Sequence, residues 1–163
     1  MTTDSVVNKV DIQEYLSRYE GQKVHYIPNP GNAGDSLIAL ATYQQFKRAG
    51  VKYEVVQSFQ EFDATGKAVF YGGGGNLIPE YYNALKWIKK CHKKAKKLVI
   101  LPHTIKGNKS LLRKLGKNSE IICREKKSYK WVSMNTEDVN VYLSHDIALS
   151  LDVSKAKKRI PYS

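Results

Sequence analysis

The sequence predicts an α/β domain: an open, mostly parallel sheet with helices on both faces. Short apolar runs alternate with segments of helical periodicity along the whole chain. No Asn-Gly or Asp-Gly dipeptide joins neighbouring runs, so the strands are expected to pair through right-handed crossovers instead of hairpins. Several runs end in loops rich in glycine or proline, at the edge where open parallel sheets bind ligands.

Residues 1–22 read as an N-terminal helix or extension, 23–153 as the α/β domain, and 154–163 as a basic tail or linker stub. Lys23–Ile27 reads as a buried strand closed by Pro28 and Pro30. Asp35–Ala49 carries an apolar helical stripe (Leu37, Ile38, Ala41, Phe46) that Gly50 stops. Lys52–Val56 is rich in β-branched and aromatic residues and reads as the second strand. Gln57–Thr65 reads as a connection with a short helical turn. Lys67–Tyr71 is a third strand, running into the loop Gly72–Gly75. Glu80–Lys96 gives the clearest helical pattern, with Tyr81, Ala84, Leu85, Ile88, Cys91 and Ala95 spaced by three and four and lysines opposite. Lys97–Leu101 reads as a strand ended by Pro102, Lys109–Leu115 as a short helix, and Glu120–Cys123 as a strand. Lys126–Met134 follows as a helix and Asp138–Tyr142 as a last short strand. The sum is a Rossmann-like sheet.

At 163 residues the chain is the size of one ordinary domain, and its 42% hydrophobic content suits a packed core rather than disorder. The first fifteen residues lack a signal-peptide core, and no apolar run approaches the ~18 residues of a membrane helix. Cys91 and Cys123 fall in a helix and a strand, as buried free thiols would, and no cysteine–histidine spacing matches a zinc site. No metal is expected, and a reducing cytoplasm fits. The net charge of +12 is concentrated in seven lysines between Lys86 and Lys97. That stripe reads as a solvated helix face. Its lack of arginine and its sparse aromatic interleaving argue against nucleic acid as a partner.

Three loops carry candidate chemistry. Asn29-Pro30-Gly31-Asn32-Ala33-Gly34-Asp35-Ser36 joins the first strand to the first helix. Its glycines and the unpaired N–H groups at the helix start suit a phosphate or carboxylate, while Asp35 or Ser36 serves equally as a cap. Gly72–Asn76 removes every side chain from four successive positions, as a loop does where a ligand or another backbone comes close. In Leu101-Pro102-His103-Thr104, the proline is expected to turn the chain and place His103 in the crevice, as acid, base or donor. Arg124-Glu125 follows the next strand, either as an anion contact or as a surface pair. Asp146 reads as a helix cap.

Together, Asn32-Ala33-Gly34-Asp35, Gly72-Gly73-Gly74-Gly75-Asn76-Leu77, Leu101-Pro102-His103-Thr104, Arg124-Glu125 with Ser128-Tyr129, and Asp146-Ile147-Ala148-Leu149 resemble the polysaccharide pyruvyl transferase family, in its motif order. The resemblance covers residues 24–150. It implies a cytoplasmic transferase of polysaccharide, exopolysaccharide or glycan biosynthesis, moving a pyruvyl group from phosphoenolpyruvate onto a sugar hydroxyl pair without a further cofactor. It also implies one half of a twin-Rossmann, glycosyltransferase-B-like architecture. Asp35, His103 and Arg124 are then the catalytic candidates: Asp35 as base or acceptor contact, His103 for the acceptor sugar, Arg124 for the anionic donor. Asn32, Gly34, Gly73, Gly74, Gly75 and Asn76 are the ligand-binding candidates.

The family's second domain carries an Arg–Leu–His segment for which this chain has no counterpart; its only arginine after Arg124 is Arg159. A partner chain or self-association is expected to supply that half. The alternative is a non-catalytic module that binds a sugar or nucleotide sugar.

Overall fold

The computed structural model describes residues 6–57 and 60–156. The elements in order are α1 (Ile12–Ser17), β1 (Lys23–Ile27), α2 (Ala33–Arg48), β2 (Lys52–Val55), β3 (Ala68–Tyr71), β4 (Gly74–Leu77) and α3 (Asn83–Cys91). Then come β5 (Lys97–Ile105), α4 (Lys109–Leu112), β6 (Ser119–Cys123), α5 (Lys126–Asn135), β7 (Asn140–Leu143), a 3-10 turn (Ile147–Ser150) and α6 (Val153–Ala156). The strands lie in the order β2-β1-β3-β5-β6-β7, with β4 beside β5, and every strand pair is parallel. The α/β fold with an open parallel sheet is as the sequence predicts.

Period-two alternation sends successive side chains to opposite faces, and both faces are covered. On β5, Val99 and Leu101 join Tyr26, Phe70 and Ile122 beneath α1, α2 and the 3-10 turn. Leu98 and Ile100 join Tyr71, Ile121 and Cys123 beneath α3, α4 and α5. Cys91 and Cys123 are free and buried, and burial raises their thiols to about 11 and about 12. No helix among the described residues is long and apolar enough to cross a membrane.

Helix α1 seats Tyr15 and Leu16 fully in the core. Just before it, Val10 N–H donates to the Leu143 carbonyl (3.0 Å) and Leu143 N–H to the Asn8 carbonyl (2.9 Å), laying Asn8–Val10 along β7. Nearby, Glu120 is 8% exposed; its carboxylate accepts from Tyr15 Oη (2.5 Å) and pairs with Lys97.

Three local expectations fail. Pro102 does not end its strand: β5 continues to Ile105. The proline sits where β6 shifts register between Ile100 and His103, and where β3 gives way to β4. Its missing N–H therefore falls at a break in both ladders. The glycine loop is not all loop, because Gly74–Leu77 forms β4. The helix expected over Glu80–Lys96 is only α3. Tyr81 and Tyr82 stand exposed before it, and beyond it the Asn118 side-chain amide donates to the carbonyls of His92 (2.8 Å) and Ala95 (2.9 Å). Of the tail expected over 154–163, residues 157–163 lie outside the described residues.

Candidate functional site

The direction of chain winding reverses at β1, which has β2 on one side and β3 on the other. A crevice opens at such a switch point, beyond the carboxyl ends of the strands. Here it is a cleft of about 560 Å³, lined among others by Asn32, Asp35, Gly75, Asn76, Tyr81 and Arg124. The loops after β1 and β6 and strand β4 thus converge, and six of the nine residues singled out from sequence line the cleft: Asn32, Gly34, Asp35, Gly75, Asn76 and Arg124.

Asn32 and Asp35 form a capping box at the start of α2. Asn32 Oδ1 accepts from Gly34 N–H (2.9 Å) and Asp35 Oδ2 accepts from Asn32 N–H (2.9 Å). Two of the donors that made this helix start look ready for an anion are therefore taken, and a carboxylate stands beside them. Gly31 makes the arrangement possible, since a Cβ there would lie 1.8 Å from Asp35 Oδ2.

The opposite wall is positive. Arg124 Nε donates to Thr104 Oγ1 (2.7 Å) and Nη1 to Asp146 Oδ2 (2.7 Å), while Glu125 Oε2 lies 3.9 Å from Nε. Its main ionic partner is therefore Asp146, not the adjacent glutamate that sequence proximity suggested. Asp146 still caps as expected, with Oδ1 accepting from Ala148 N–H (2.9 Å). Nη2 has no hydrogen-bond partner among the described residues and faces Gly75, where a Cβ would come within 3.0 Å of it.

His103 is not in the cleft. Its ring is fully buried on β5, with Nε2 3.0 Å from Asn76 Oδ1, and Asn76 stands between it and the opening. Burial first, and the Arg124 charge second, push its imidazole down to about 3, so it is neutral at physiological pH. The expectation that Pro102 turns His103 outward fails with the expectation that Pro102 ends the strand.

Sequence reasoning placed Asn29 in the first candidate loop but gave it no role of its own. It is 6% exposed, its Oδ1 accepts from Tyr71 Oη (2.7 Å) and Asn76 Nδ2 (2.7 Å), and its Nδ2 donates to Asp35 Oδ1 (3.2 Å). The only signal for it was its position between Pro28 and Pro30, just past the end of β1. Three of the four loop glycines answer to packing against it and against Pro102. A Cβ on Gly72 would lie 2.7 Å from Asn29 N, on Gly73 2.7 Å from the Pro102 carbonyl oxygen, and on Gly74 2.4 Å from Asn29 Nδ2.

The polysaccharide pyruvyl transferase family model matches residues 32–162, spanning all of these groups except Asn29 and Gly31. The chain belongs to that family. A crystal structure of a functionally uncharacterized Klebsiella pneumoniae protein superposes with a TM-score of 0.78 at 32% identity, over 93% of this chain. This chain spans 60% of that protein's length. No curated protein matches the sequence. In this member of the pyruvyl transferase family, then, the motif loops form one polar cleft with a carboxylate on one wall and a guanidinium edge on the other.

Proposed function

We propose that this chain contributes the first half of a cytoplasmic pyruvyl transferase of polysaccharide or glycan biosynthesis, with phosphoenolpyruvate as donor and a sugar hydroxyl pair as acceptor. The observation that carries the reading is the polarity of the cleft. Arg124 is held by Thr104 and Asp146 and keeps Nη2 free toward Gly75, while the Asp35 carboxylate lies on the far wall. An anionic donor suits the first wall and a hydroxyl that must lose its proton suits the second.

In the reaction two hydroxyl oxygens bond to C2 of the enol phosphate and phosphate leaves. One hydroxyl proton ends on the methylene carbon, making it a methyl, and the other on phosphate. Asp35 takes the first hydroxyl proton, and Arg124 holds donor charge as it passes to the leaving group. Asn32, Asn76 and the backbone at Gly34 and Gly75 border the acceptor, and Gly73 and Gly74 let β4 approach Pro102 and Asn29. His103 acts on the acceptor only through Asn76. The remaining wall of the donor site comes from outside this domain, whether from further chain, a partner or a second copy.

Thermal unfolding with phosphoenolpyruvate, against inorganic phosphate as the anion control, tests the reading. A ligand at 100 times its Kd stabilises by about 2.7 kcal/mol. A salt-resistant shift beyond phosphate, lost in Arg124→Ala, supports it, and acceptor-dependent phosphate release follows as the activity assay. No shift beyond phosphate refutes a donor contact in this half. Binding without phosphate release from any acceptor, with the partner supplied, returns the protein to a sugar-binding module.

A further inference from the structure

Two groups picked out separately in the sequence, Asp35 and His103, are joined by an unbroken line of hydrogen bonds. Asp35 Oδ1 accepts from Asn29 Nδ2 (3.2 Å), Asn29 Oδ1 accepts from Asn76 Nδ2 (2.7 Å), and Asn76 Oδ1 meets His103 Nε2 (3.0 Å). Each amide in that line has an oxygen end and a nitrogen end, so each can sit one of two ways round. What fixes the choice is the one member with no N–H to offer. The carboxylate of Asp35 takes the Asn32 backbone N–H on Oδ2 (2.9 Å) and accepts on Oδ1 as well.

We infer that Asn29 is a positioning residue whose amide, pinned by Asp35, orients Asn76 and thereby sets His103 as the Nε2–H tautomer. With Nδ2 of Asn29 committed to Asp35, its Oδ1 faces Asn76, and Tyr71 Oη donates to the same oxygen (2.7 Å). Asn76 must then present Nδ2 to Asn29 and Oδ1 to the ring. A ring nitrogen facing an oxygen must carry the proton. His103 Nδ1 is left as the basic nitrogen, buried and without a hydrogen-bond partner. The Gly72 backbone carbonyl favours a proton on the ring and is the competing influence. Asn76 lines the cleft, so the same line of bonds decides which amide atoms a ligand meets there.

The inference makes an inverted prediction for Asp35→Asn. The Asn32 N–H still demands an oxygen, so the new amide turns its nitrogen toward Asn29. Asn29 must then flip, Asn76 must flip after it, and His103 Nε2 becomes an acceptor. The proton moves to Nδ1.

Two-bond 1H–15N correlation spectra of the 15N-labelled full chain read this directly. The His103 ring is assigned by loss of its signals in His103→Gln. Expected are a pyrrole-type Nε2 and a pyridine-type Nδ1 in the wild type, and the reverse in Asp35→Asn. If Asp35→Asn does not fold, Asn29→Leu cuts the line and is expected to give a mixture of the two tautomers. A wild-type Nδ1–H ring overturns the inference outright, and so does an unchanged tautomer in a folded Asp35→Asn or Asn29→Leu protein. The inference concerns the cleft assigned above, but its readout needs neither donor nor turnover. A failed phosphate-release assay leaves it standing, and a wrong tautomer leaves the transferase reading standing.

Discussion

Replacing Gly73 by alanine tests the tightest contact between the glycine segment and β5. A Cβ at this position would lie 2.7 Å from the Pro102 carbonyl oxygen, with Ile38 Cγ2 at 3.4 Å and Ile147 Cγ2 at 3.7 Å closing the remaining space. Comfortable contact needs about 3.5 Å, so one backbone must withdraw by about 0.8 Å inside the sheet. Overpacking of this kind costs ~1–3 kcal/mol, and the upper half applies because neither partner is a side chain that can rotate away. For a domain of this size each kcal/mol lowers Tm by about 2–4 °C, giving an expected fall of roughly 5–10 °C. Far-UV circular dichroism melts of Gly73→Ala and Gly116→Ala make the comparison. The second Cβ meets only Asn118 Oδ1, at 3.7 Å, so that variant should be neutral or gain ~0.4–1 kcal/mol. Equal melting temperatures for the two variants would refute the argument that packing, rather than flexibility, requires these glycines.

Lys97→Met strands the Glu120 carboxylate in the core and is expected to cost ~3–5 kcal/mol; adding Glu120→Gln should recover much of it in a double-mutant cycle read by urea unfolding. Burial raises the Glu120 carboxyl, but the hydrogen bonds from Lys97 and Tyr15 outweigh it and hold the group below its ordinary value. That contribution is present above about pH 4.3 and disappears as pH falls through the folded value. His103 acts at higher pH. The unfolded ring protonates near ~6.5 and the folded one near about 3, so stability drains away between those values, by about 2 kcal/mol from pH 7 to pH 5. Denaturant titrations at the two pH values should show that difference in the wild type and a smaller one in His103→Gln. Gly31→Ala drives its Cβ into Asp35 Oδ2, so loss of the cap is expected to cost ~1 kcal/mol, with phosphate release falling as in Asp35→Asn.

Strand β1 was legible to the residue, because an apolar run bounded by Gly21 and Pro28 needs no tertiary information. Pro102 misled because proline stops a strand only where its neighbours demand an N–H, and here both ladders break beside it. Four glycines in a row announced close approach, and close approach is what they provide. What the sequence could not say is that the approaching atoms belong to Asn29, Pro102 and Arg124. Arg124 lines the cleft, yet its anchor, Asp146, lies 22 positions away, and adjacency pointed to Glu125 instead. Asn29 was unreadable for the same reason. An asparagine before a proline looks like an ordinary turn, and its worth comes from Tyr71, Asn76 and Asp35, which only the fold assembles.

An open sheet has two outer strands, each offering a row of backbone groups to any passing chain. The two margins are guarded by different means. β2 is short and carries charge, with Lys52 and Glu54 exposed and Glu54 paired to Lys23 at 2.6 Å. β7 is shielded by the chain itself, because Asn8–Val10 lies along it and occupies the Leu143 N–H and carbonyl. Trimming the protein to a tidy start at α1 would remove that cover and leave a parallel strand bare. Such a preparation should keep its cleft but self-associate through β7, a hazard for any shortened form of this protein.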